Sequence, residues 1–166
     1  MPVLSKIKSF FQDPVTLQII SPLSGNLIPL LKVNDLMFSS GLLGQGVGII
    51  PIEGKLYSPF DGTIYALFPT GHALGLKSRK GIDLLIHIGL NTTTLNGEFF
   101  QPHIKQGQHI KKGQLLVSFN LNEILAAGYD VTTPIIVNNT KDYSSLLINK
   151  EHVVSSLEPL ITLTLP

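Results

Sequence analysis

Short apolar runs rich in Ile, Leu and Val follow one another along the chain from Thr16 onward. Gly, Pro, Asn and Asp interrupt these runs at intervals of about ten residues, which is typical of short β-strands joined by turns. Helical periodicity in this part of the chain is confined to two brief stretches, Leu121 to Ala127 and Lys141 to Leu147. The pattern therefore predicts an all-β sandwich or barrel with little helix.

The N-terminus has a different pattern, in which apolar side chains recur at helical spacing with lysines between them. These residues are Leu4, Lys6, Ile7, Lys8, Phe10 and Phe11. The residues alone favour a frayed terminus or a small docking helix over an amphipathic helix that touches a membrane. We divide the chain into an N-terminal amphipathic segment, residues 1–15, and a single domain, residues 16–166.

Two of the apolar runs contain the same short sequence repeat. Residues 21–28 and 58–65 both follow the pattern Ser-Pro-apolar-x-Gly-x-apolar. In each copy Pro begins an extended segment and Gly permits a bend or bulge before the apolar residues resume. The repeat predicts a duplicated β motif.

A second repeat lies between residues 104 and 116, where Gly-Gln occurs at Gly107 and again at Gly113. Two tight turns joined by a short strand would give this spacing. The segment is similar to the hammerhead turn of lipoyl and biotinyl domains, but it lacks their modified lysine flanked by methionines. We interpret it as shared architecture only.

Composition removes several classes of function. The 166 residues include no cysteine, which excludes disulfides, thiolate catalysis and Cys-ligated zinc and leaves histidine as the neutral-pH nucleophile. A net charge of +1 with 14% charged residues provides no basic surface for nucleic acid. No apolar run approaches the ~20 residues of a membrane span. We expect a cytoplasmic protein.

Two histidines flank a predicted β-hairpin. Residues 73–78 and 82–88 are strand-like, and Ser-Arg-Lys-Gly at 78–81 has the size of a hairpin turn. If Arg79 and Lys80 are the two loop residues, His72 lies directly opposite His87, where two imidazoles can meet. A slip of one residue in this register would place the two side chains on opposite faces.

Opposed imidazoles can carry phosphoryl chemistry. A neutral histidine is a nucleophile toward phosphorus, and an adjacent imidazole N–H can bind a phosphoryl oxygen. Thr70, two residues before His72, adds a hydroxyl. The alternative is that both histidines are ordinary packing residues, which is the usual role of a single histidine on an apolar strand.

Several segments together resemble the glucose-specific enzyme IIA family of the bacterial phosphoenolpyruvate-dependent sugar phosphotransferase system. The resemblance extends from about Ile19 to Asn139, and it is carried by the Ser-Pro-x-x-Gly repeats, the double Gly-Gln turn and two histidine motifs. These motifs are Phe68-Pro69-Thr70-Gly71-His72-Ala73 and Leu85-Ile86-His87-Ile88-Gly89-Leu90-Asn91-Thr92.

The resemblance implies an antiparallel β-sandwich with barrel-like character and a duplicated half motif. It also implies a phosphotransferase component with a phosphohistidine intermediate on His87. The phosphocarrier HPr would be the donor, and His72 would be needed to pass the phosphoryl group to the IIB domain of a sugar permease. Thr70 matches a hydroxyl residue of that site.

Further partners also follow from the resemblance. Some relatives, when unphosphorylated, regulate permeases, glycerol kinase and adenylate cyclase, and in such complexes the residues matching His72 and His87 bind zinc together with a partner's carboxylate. No cofactor is required for the carrier role. The initial Met before the amphipathic stretch favours a free-standing protein over a domain cut from a fused permease.

A partner surface is expected around the histidines. Glycines between positions 41 and 48 alternate with apolar residues there, which suggests a flexible apolar rim, although core packing is the alternative for at least half of them. The rim consists of Met37, Phe38, Leu42, Leu43, Val47 and Phe68. The resemblance favours Phe38, Leu42 and Phe68 as interface and retains an acidic contact at Asp35, whereas Asn91 stands where many relatives have an acid.

Two other functions remain open at this level. A zinc hydrolase on a related β scaffold could use His72 and His87 as ligands, but catalytic zinc normally has three protein ligands, and no third is evident by spacing. A non-catalytic regulatory module of the same fold would keep the docking surface but could not transfer a phosphoryl group. The intact His72, His87 and Thr70 argue against that module.

Overall fold

The structure is a computed structural model that describes residues 13–166. Residues 1–12, which contain most of the predicted amphipathic segment, lie outside the described part. The predicted boundary between this segment and the domain, and the membrane contact, therefore stay predictions.

Fourteen strands dominate the described chain. In chain order they are β1 Thr16–Ile20, β2 Gly25–Pro29, β3 Gln45–Pro51, β4 Lys55–Tyr57, β5 Gly62–Leu67, β6 Ala73–Ser78, β7 Asp83–His87, β8 Phe100–Pro102, β9 His109–Ile110, β10 Leu115–Phe119, β11 Thr133–Val137, β12 Ser145–Ile148, β13 Val153–Val154 and β14 Pro159–Thr164.

Helix is minor, as the sequence predicts. The α-helices of the described residues are α1 Leu36–Ser39 and α2 Leu121–Ala126. Short 3-10 helices occupy Leu30–Lys32, Thr92–Leu95 and Thr140–Asp142. The helical stretch expected near Leu121 is confirmed. The one expected from Lys141 to Leu147 is wrong, because only a 3-10 turn forms at its start and Leu146 and Leu147 belong to the edge strand β12.

All strand pairs are antiparallel and form three sheets. The large sheet has the order β13-β2-β3-β11-β7-β6-β5-β9, and the two smaller ones are β1-β14-β12 and β4-β10-β8. These antiparallel sheets confirm the predicted sandwich. Within residues 13–166 the large sheet ends at β13 and β9 and does not close into a barrel.

The core lies beneath the middle of the large sheet. All five residues of β11 are buried, and this strand pairs with β3 on one side and β7 on the other. Leu84 and Ile86 of β7 are fully buried, while His87 at the end of the strand is only half-buried. The core therefore holds β7 rigidly and brings its last side chain to the protein surface.

The Ser-Pro-x-x-Gly repeat of the sequence is also a repeat in the structure. The hydroxyl of Ser21 donates to the carbonyl of Leu23 at 2.6 Å, and that of Ser58 donates to the carbonyl of Phe60 at 2.7 Å. Both serines are fully buried. Each copy leads directly into a strand, β2 in the first and β5 in the second. The predicted duplicated motif is confirmed.

The two copies also bind each other. The backbone N–H of Ile20 donates to the carbonyl of Pro59, and the N–H of Tyr57 donates to the carbonyl of Pro22. In the large sheet, β2 and β3 are second and third from one end, and β5 and β6 are second and third from the other. This strand order relates the β2–β3 and β5–β6 hairpins by an approximate two-fold operation. The connections 30–44 and 68–72 are therefore equivalent in the two halves.

The double Gly-Gln segment forms the two tight turns predicted for it. The N–H of Gln108 donates to the carbonyl of Lys105 at 3.1 Å, and the N–H of Gln114 donates to that of Lys111 at 3.0 Å. The short strand β9 joins the turns. Among the helices of residues 13–166, none has the length and apolar character needed to cross a lipid bilayer.

Candidate functional site

The hairpin between the histidines differs by one residue from the predicted register. Ala73, not His72, lies opposite His87, and Lys77 lies opposite Asp83. The loop has three residues rather than two, because the N–H of Ser78 donates to the carbonyl of Ile82 and Gly81 adopts a φ of +92°. The predicted direct opposition of His72 and His87 is therefore wrong.

The imidazoles meet in spite of this shift. Their ring centroids are 4.9 Å apart, with an interplanar angle of 75° that brings an edge of one ring toward the face of the other. His72 precedes β6 and lies in a bend, where its carbonyl accepts the N–H of Ile88 at 2.7 Å. Because the side chain of His72 leaves from this bend, strand alternation does not decide where it points.

His87 has a defined tautomer. Its Nδ1 lies 2.7 Å from the carbonyl oxygen of Gly89. A carbonyl oxygen can only accept, so the neutral ring carries its proton on Nδ1 and its free electron pair on Nε2. Gly89 reaches this position with a φ of +74°, a region that favours glycine.

His72 is held between two hydroxyls. Thr70 Oγ1 contacts Nδ1, and Thr93 Oγ1 lies 3.0 Å from Nε2. A hydroxyl can donate or accept, so these partners permit either tautomer. The structure thus brings together the predicted trio Thr70, His72 and His87 and adds Thr93, which the sequence analysis missed.

Thr93 belongs to the 3-10 helix that follows the His87 motif. Asn91 begins this helix in the left-handed conformation, with a φ of 57°. The run of three threonines directly after the motif was the available signal in the sequence. The turn that aims the middle one at His72 could not be inferred from strand patterns.

Burial keeps both imidazoles neutral. The side chain of His72 is 1% exposed, and desolvation, helped by the neighbouring His87, lowers its pKa from 6.5 to about 4. Desolvation is also the largest influence on His87 and lowers its pKa, while the hydrogen bond to Gly89 and the charge of Asp35 act in the opposite direction. Near neutral pH, His87 Nε2 is therefore available as a nucleophile.

Aromatic rings enclose the pair. The ring of Phe38 lies 5.1 Å from that of His87, and the rings of Phe68 and Phe100 lie 5.6 and 6.4 Å from that of His72. These contacts restrict ring rotation and exclude water from the inner faces of the imidazoles.

The predicted rim divides into exposed and buried members. Leu42 is 89% exposed and Phe68 49%, and Met37 is exposed beside them. Phe38 is only 2% exposed, packs with Val33, Leu90 and Ile136, and supports His87 from below. Val47 and the half-buried Leu43 also pack inside, so ordinary packing explains these two.

Comparison with known proteins places this geometry in a family. The profile of the phosphoenolpyruvate-dependent sugar phosphotransferase system, EIIA 1, matches residues 17–143. The chain belongs to this family. The predicted function, a phosphoryl carrier in sugar uptake, is confirmed at the level of the family, and the protein is an EIIA phosphotransferase component.

Relatives and a solved structure agree with the assignment. The chain is 49% identical over 147 residues to the beta-glucoside-specific EIIBCA component of Halalkalibacterium halodurans, which covers 89% of this chain. It is 44% identical over 124 residues to the glucose-specific EIICBA component of Staphylococcus saprophyticus, covering 75% of this chain. The glucose permease IIA of Mycoplasma capricolum matches with a TM-score of 0.82 at 28% identity, over 92% of this chain and 98% of that one.

The EIIA chain is much shorter than the curated relatives that it matches. The alignment spans 23% of the beta-glucoside component and 18% of the glucose component. The activities, substrates and partners of those longer proteins therefore do not transfer to this chain through the alignment alone.

Acidic and amide groups at the rim of the EIIA site have separate roles. The carboxylate of Asp35 accepts the N–H of Met37 at 2.9 Å and caps α1, and its charge also acts on His87. Asn91 is exposed and directly precedes the 3-10 helix that contains Thr93. The predicted contact of Asp35 with a partner stays a prediction.

Metal ligation by the EIIA chain depends on the two histidines. Within residues 13–166, no group of three or more His, Cys, Asp or Glu side chains is placed to hold a metal ion. The expected zinc site on His72 and His87 would need a carboxylate from a partner and stays a prediction. The zinc hydrolase gains no support from these residues, since catalytic zinc normally takes three protein ligands.

Proposed function

We propose that Nε2 of His87 accepts a phosphoryl group from phosphorylated HPr and passes it to the IIB domain of a sugar permease. The observation that carries the proposal is the hydrogen bond from Nδ1–H of His87 to the carbonyl of Gly89. Because this bond places the proton on Nδ1, the electron pair of Nε2 is free at the half-buried end of β7.

The acceptance step needs no protein base. The Nε2 electron pair forms a new N–P bond while the N–P bond to the donor's imidazole breaks, and that electron pair returns to the donor's nitrogen. The His87 Nδ1 proton stays on its bond to Gly89, which stabilises the positive charge that the ring gains. Positioning and charge stabilisation supply most of the catalysis in such a transfer.

His72 would stabilise the phosphoryl group during its onward transfer. Its ring lies edge to face with that of His87 at a centroid distance of 4.9 Å. A neutral imidazole can donate its N–H to a phosphoryl oxygen and so stabilise the negative charge on that oxygen. Burial, which lowers the pKa of His72 to about 4, supports the neutral form.

Docking would use the exposed apolar rim beside the histidines. Leu36, Met37, Leu42 and Phe68 are exposed apolar side chains, and Asp35 directly precedes Leu36 in the chain. Such a surface fits HPr and the IIB domain in turn, and could receive regulated partners when His87 is unphosphorylated. All of these partners would meet the protein in the cytoplasm.

Choice of sugar would lie with the permease. Relatives that are 44–49% identical to this chain are named for beta-glucoside, glucose and glucosamine. The proposed site handles only a phosphoryl group, so nothing in it needs to distinguish sugars.

Intact-mass analysis tests the proposal directly. The protein is incubated with phosphoenolpyruvate, enzyme I and HPr at neutral to alkaline pH, because phosphohistidine is labile in acid. We expect one added phosphoryl group on wild type and on His72→Gln, and none on His87→Gln. With an isolated IIB domain added, the label should leave wild type quickly and leave His72→Gln slowly.

Other outcomes would contradict the carrier role. An unlabelled wild type with intact docking to HPr would favour the regulatory module. Label that persists on His87→Gln would place the phosphoryl group on another residue. The hydrogen bond from His87 to Gly89 would then say nothing about the acceptor.

A further inference from the structure

Three consecutive threonines after the His87 motif have three different hydrogen-bond partners. Thr92 is buried and donates its hydroxyl to the carbonyl of Ile88 at 2.6 Å. Thr94 donates to the carbonyl of Asn91 at 2.9 Å. The Thr94 hydroxyl also contacts that of Tyr129 at 2.5 Å. The bonds of Thr92 and Thr94 therefore hold the 3-10 helix on both sides of Thr93.

Thr93 lies between the buried imidazole and solvent. Its Oγ1 is 3.0 Å from His72 Nε2, and the residue is exposed while His72 is almost fully buried. The hydroxyl therefore occupies the mouth of the site, on the nitrogen of His72 that is remote from Cβ.

The hydroxyl on the other nitrogen indicates which atom carries the proton. Thr70 is half-buried, and among the described residues its hydroxyl contacts no acceptor other than His72 Nδ1. Thr70 has less access to water than the exposed Thr93, so the arrangement in which Thr70 donates to Nδ1 satisfies both hydroxyl hydrogens. The proton of His72 is then on Nε2, and Thr93 accepts it while its own hydrogen faces water.

We propose that Thr93 is a positioning residue for His72, whose Oγ1 accepts the Nε2–H and holds it ready for a phosphoryl group on His87. The inference rests on the proposed carrier function and deepens it. Phosphoryl oxygens accept and do not donate, so a phosphoryl group on His87 Nε2 takes over the His72 N–H. Thr93 is then free to donate its own hydroxyl to the same group.

The bond between Thr93 and His72 can be observed without any phosphoryl transfer. In ¹⁵N-detected NMR of the unphosphorylated protein at neutral pH, we expect a protonated, pyrrole-type Nε2 and a pyridine-type Nδ1 on His72. His72→Gln identifies these signals by their loss. Thr93→Val should mix the two tautomers, and Thr93→Ser should restore the wild-type pattern.

Transfer kinetics give the functional readout. Because Thr93 acts through His72, Thr93→Val should slow transfer from phospho-His87 to the IIB domain by about 3- to 10-fold, the value of one hydrogen bond. Acceptance from HPr should change less, as in His72→Gln, and Thr93→Ser should recover the onward rate.

Thr63 provides a matched control. Its Oγ1 lies 3.1 Å from Nδ1 of the exposed His109, on strands β5 and β9 at an edge of the large sheet. Thr63→Val removes the same kind of bond and should leave both rates unchanged. If Thr93→Val does not fold, Thr93→Ala removes the hydroxyl with a smaller side chain.

The outcomes separate this inference from the proposed function. A pyridine-type Nε2 on wild-type His72, or a Thr93→Val protein with the wild-type spectrum and onward rate, would overturn the role of Thr93. A wild type that accepts no phosphoryl group would overturn the carrier proposal instead, and the tautomer of His72 would still test the hydrogen bond.

Discussion

The two histidines of the site are packed ring against ring, but His72 is fully buried and His87 half-buried, and different groups face their nitrogens. A backbone carbonyl that can only accept fixes the tautomer of His87, whereas two hydroxyls that can accept or donate hold His72. In the proposed transfer, His87 would therefore keep one protonation pattern throughout. His72 would rearrange its hydrogen bonds as phosphoryl oxygens arrive and leave.

This difference teaches that one residue type serves two tasks through its hydrogen-bond partners. A nucleophile must keep an electron pair in a constant place, which suits a rigid backbone acceptor. A residue that stabilises changing charge gains from partners that can reverse direction. Four experiments test how far this division extends.

The largest effect on the rate of phosphorylation is expected at Gly89, which presents the carbonyl to His87. A Cβ there would lie 2.6 Å from Thr92 Cγ2 and 3.0 Å from the carbonyl of Asp130, at a φ of +74°. Gly89→Ala should displace the carbonyl and slow phosphorylation of His87 by roughly 10- to 100-fold, the value of a hydrogen bond to a charged group. Rapid-quench mass analysis measures the rate.

Gly81→Ala is the matched control for Gly89. Its φ is +92°, but a Cβ there would meet nothing within 4 Å. It should cost about 1–2 kcal/mol of stability from backbone strain and leave the rate unchanged. Equal loss of activity in both variants would mean that strain, and not the carbonyl, controls His87.

The phenylalanines that pack against the two histidines should differ in how much they contribute to stability, with Phe38 contributing more than Phe68. Phe38 is buried under His87, so Phe38→Ala should lower the free energy of unfolding by about 3–5 kcal/mol. Phe68, which lies over His72, is half exposed, and Phe68→Ala should cost less than about 1 kcal/mol. Denaturant unfolding measures both values, and a similar cost for the two would contradict the assignment of Phe38 to the core.

Stability should depend on pH through both rings. Their folded pKa values lie below the ordinary value of 6.5, so the unfolded chain binds protons that the folded chain does not. The free energy of unfolding should be greatest above pH 6.5 and fall as the pH drops toward 4, where His72 also titrates. His72→Gln should flatten this fall, and an equally steep profile would show that His72 is not kept neutral by the fold.

The smallest effect is expected at Asn91, beside the nucleophile but outside its hydrogen bonds. Asn91→Asp adds a negative charge at an exposed position where many relatives have an acid. If this acid contacts basic groups of HPr, as the family resemblance implies, binding to HPr should strengthen a few-fold, by about 0.5–1 kcal/mol at low salt. Calorimetric titration at two salt concentrations measures it. A gain that survives high salt would contradict an electrostatic cause.

The strands, the repeat and the partnership of His72 with His87 could be predicted from sequence, because each depends on short-range pattern or recognisable motifs. The register could not, since Ser-Arg-Lys-Gly fits a two-residue loop and a three-residue loop closed by Gly81 at positive φ equally well. The histidine pair remained correct because His72 lies in a bend and not on the strand.

Other site features depend on tertiary structure. The bond from Thr93 to His72 requires a 3-10 helix that begins at a left-handed Asn91. The burial of Phe38 depends on Val33 and Ile136 closing over it from other elements. Neither arrangement leaves a periodic signal in the chain.

The approximate two-fold relation of the halves brings equivalent connections of unequal length to the same nucleophile. The short one, 68–72, supplies Thr70 and His72, and the long one, 30–44, supplies Phe38 and the exposed Leu36, Met37 and Leu42. Most of the exposed residues proposed for docking thus lie on the long connection, whereas the short one supplies His72 and Thr70 together with Phe68. Because long surface loops tolerate changes of length at small entropic cost, partner choice can be engineered in the long loop while the reactive imidazoles stay in place.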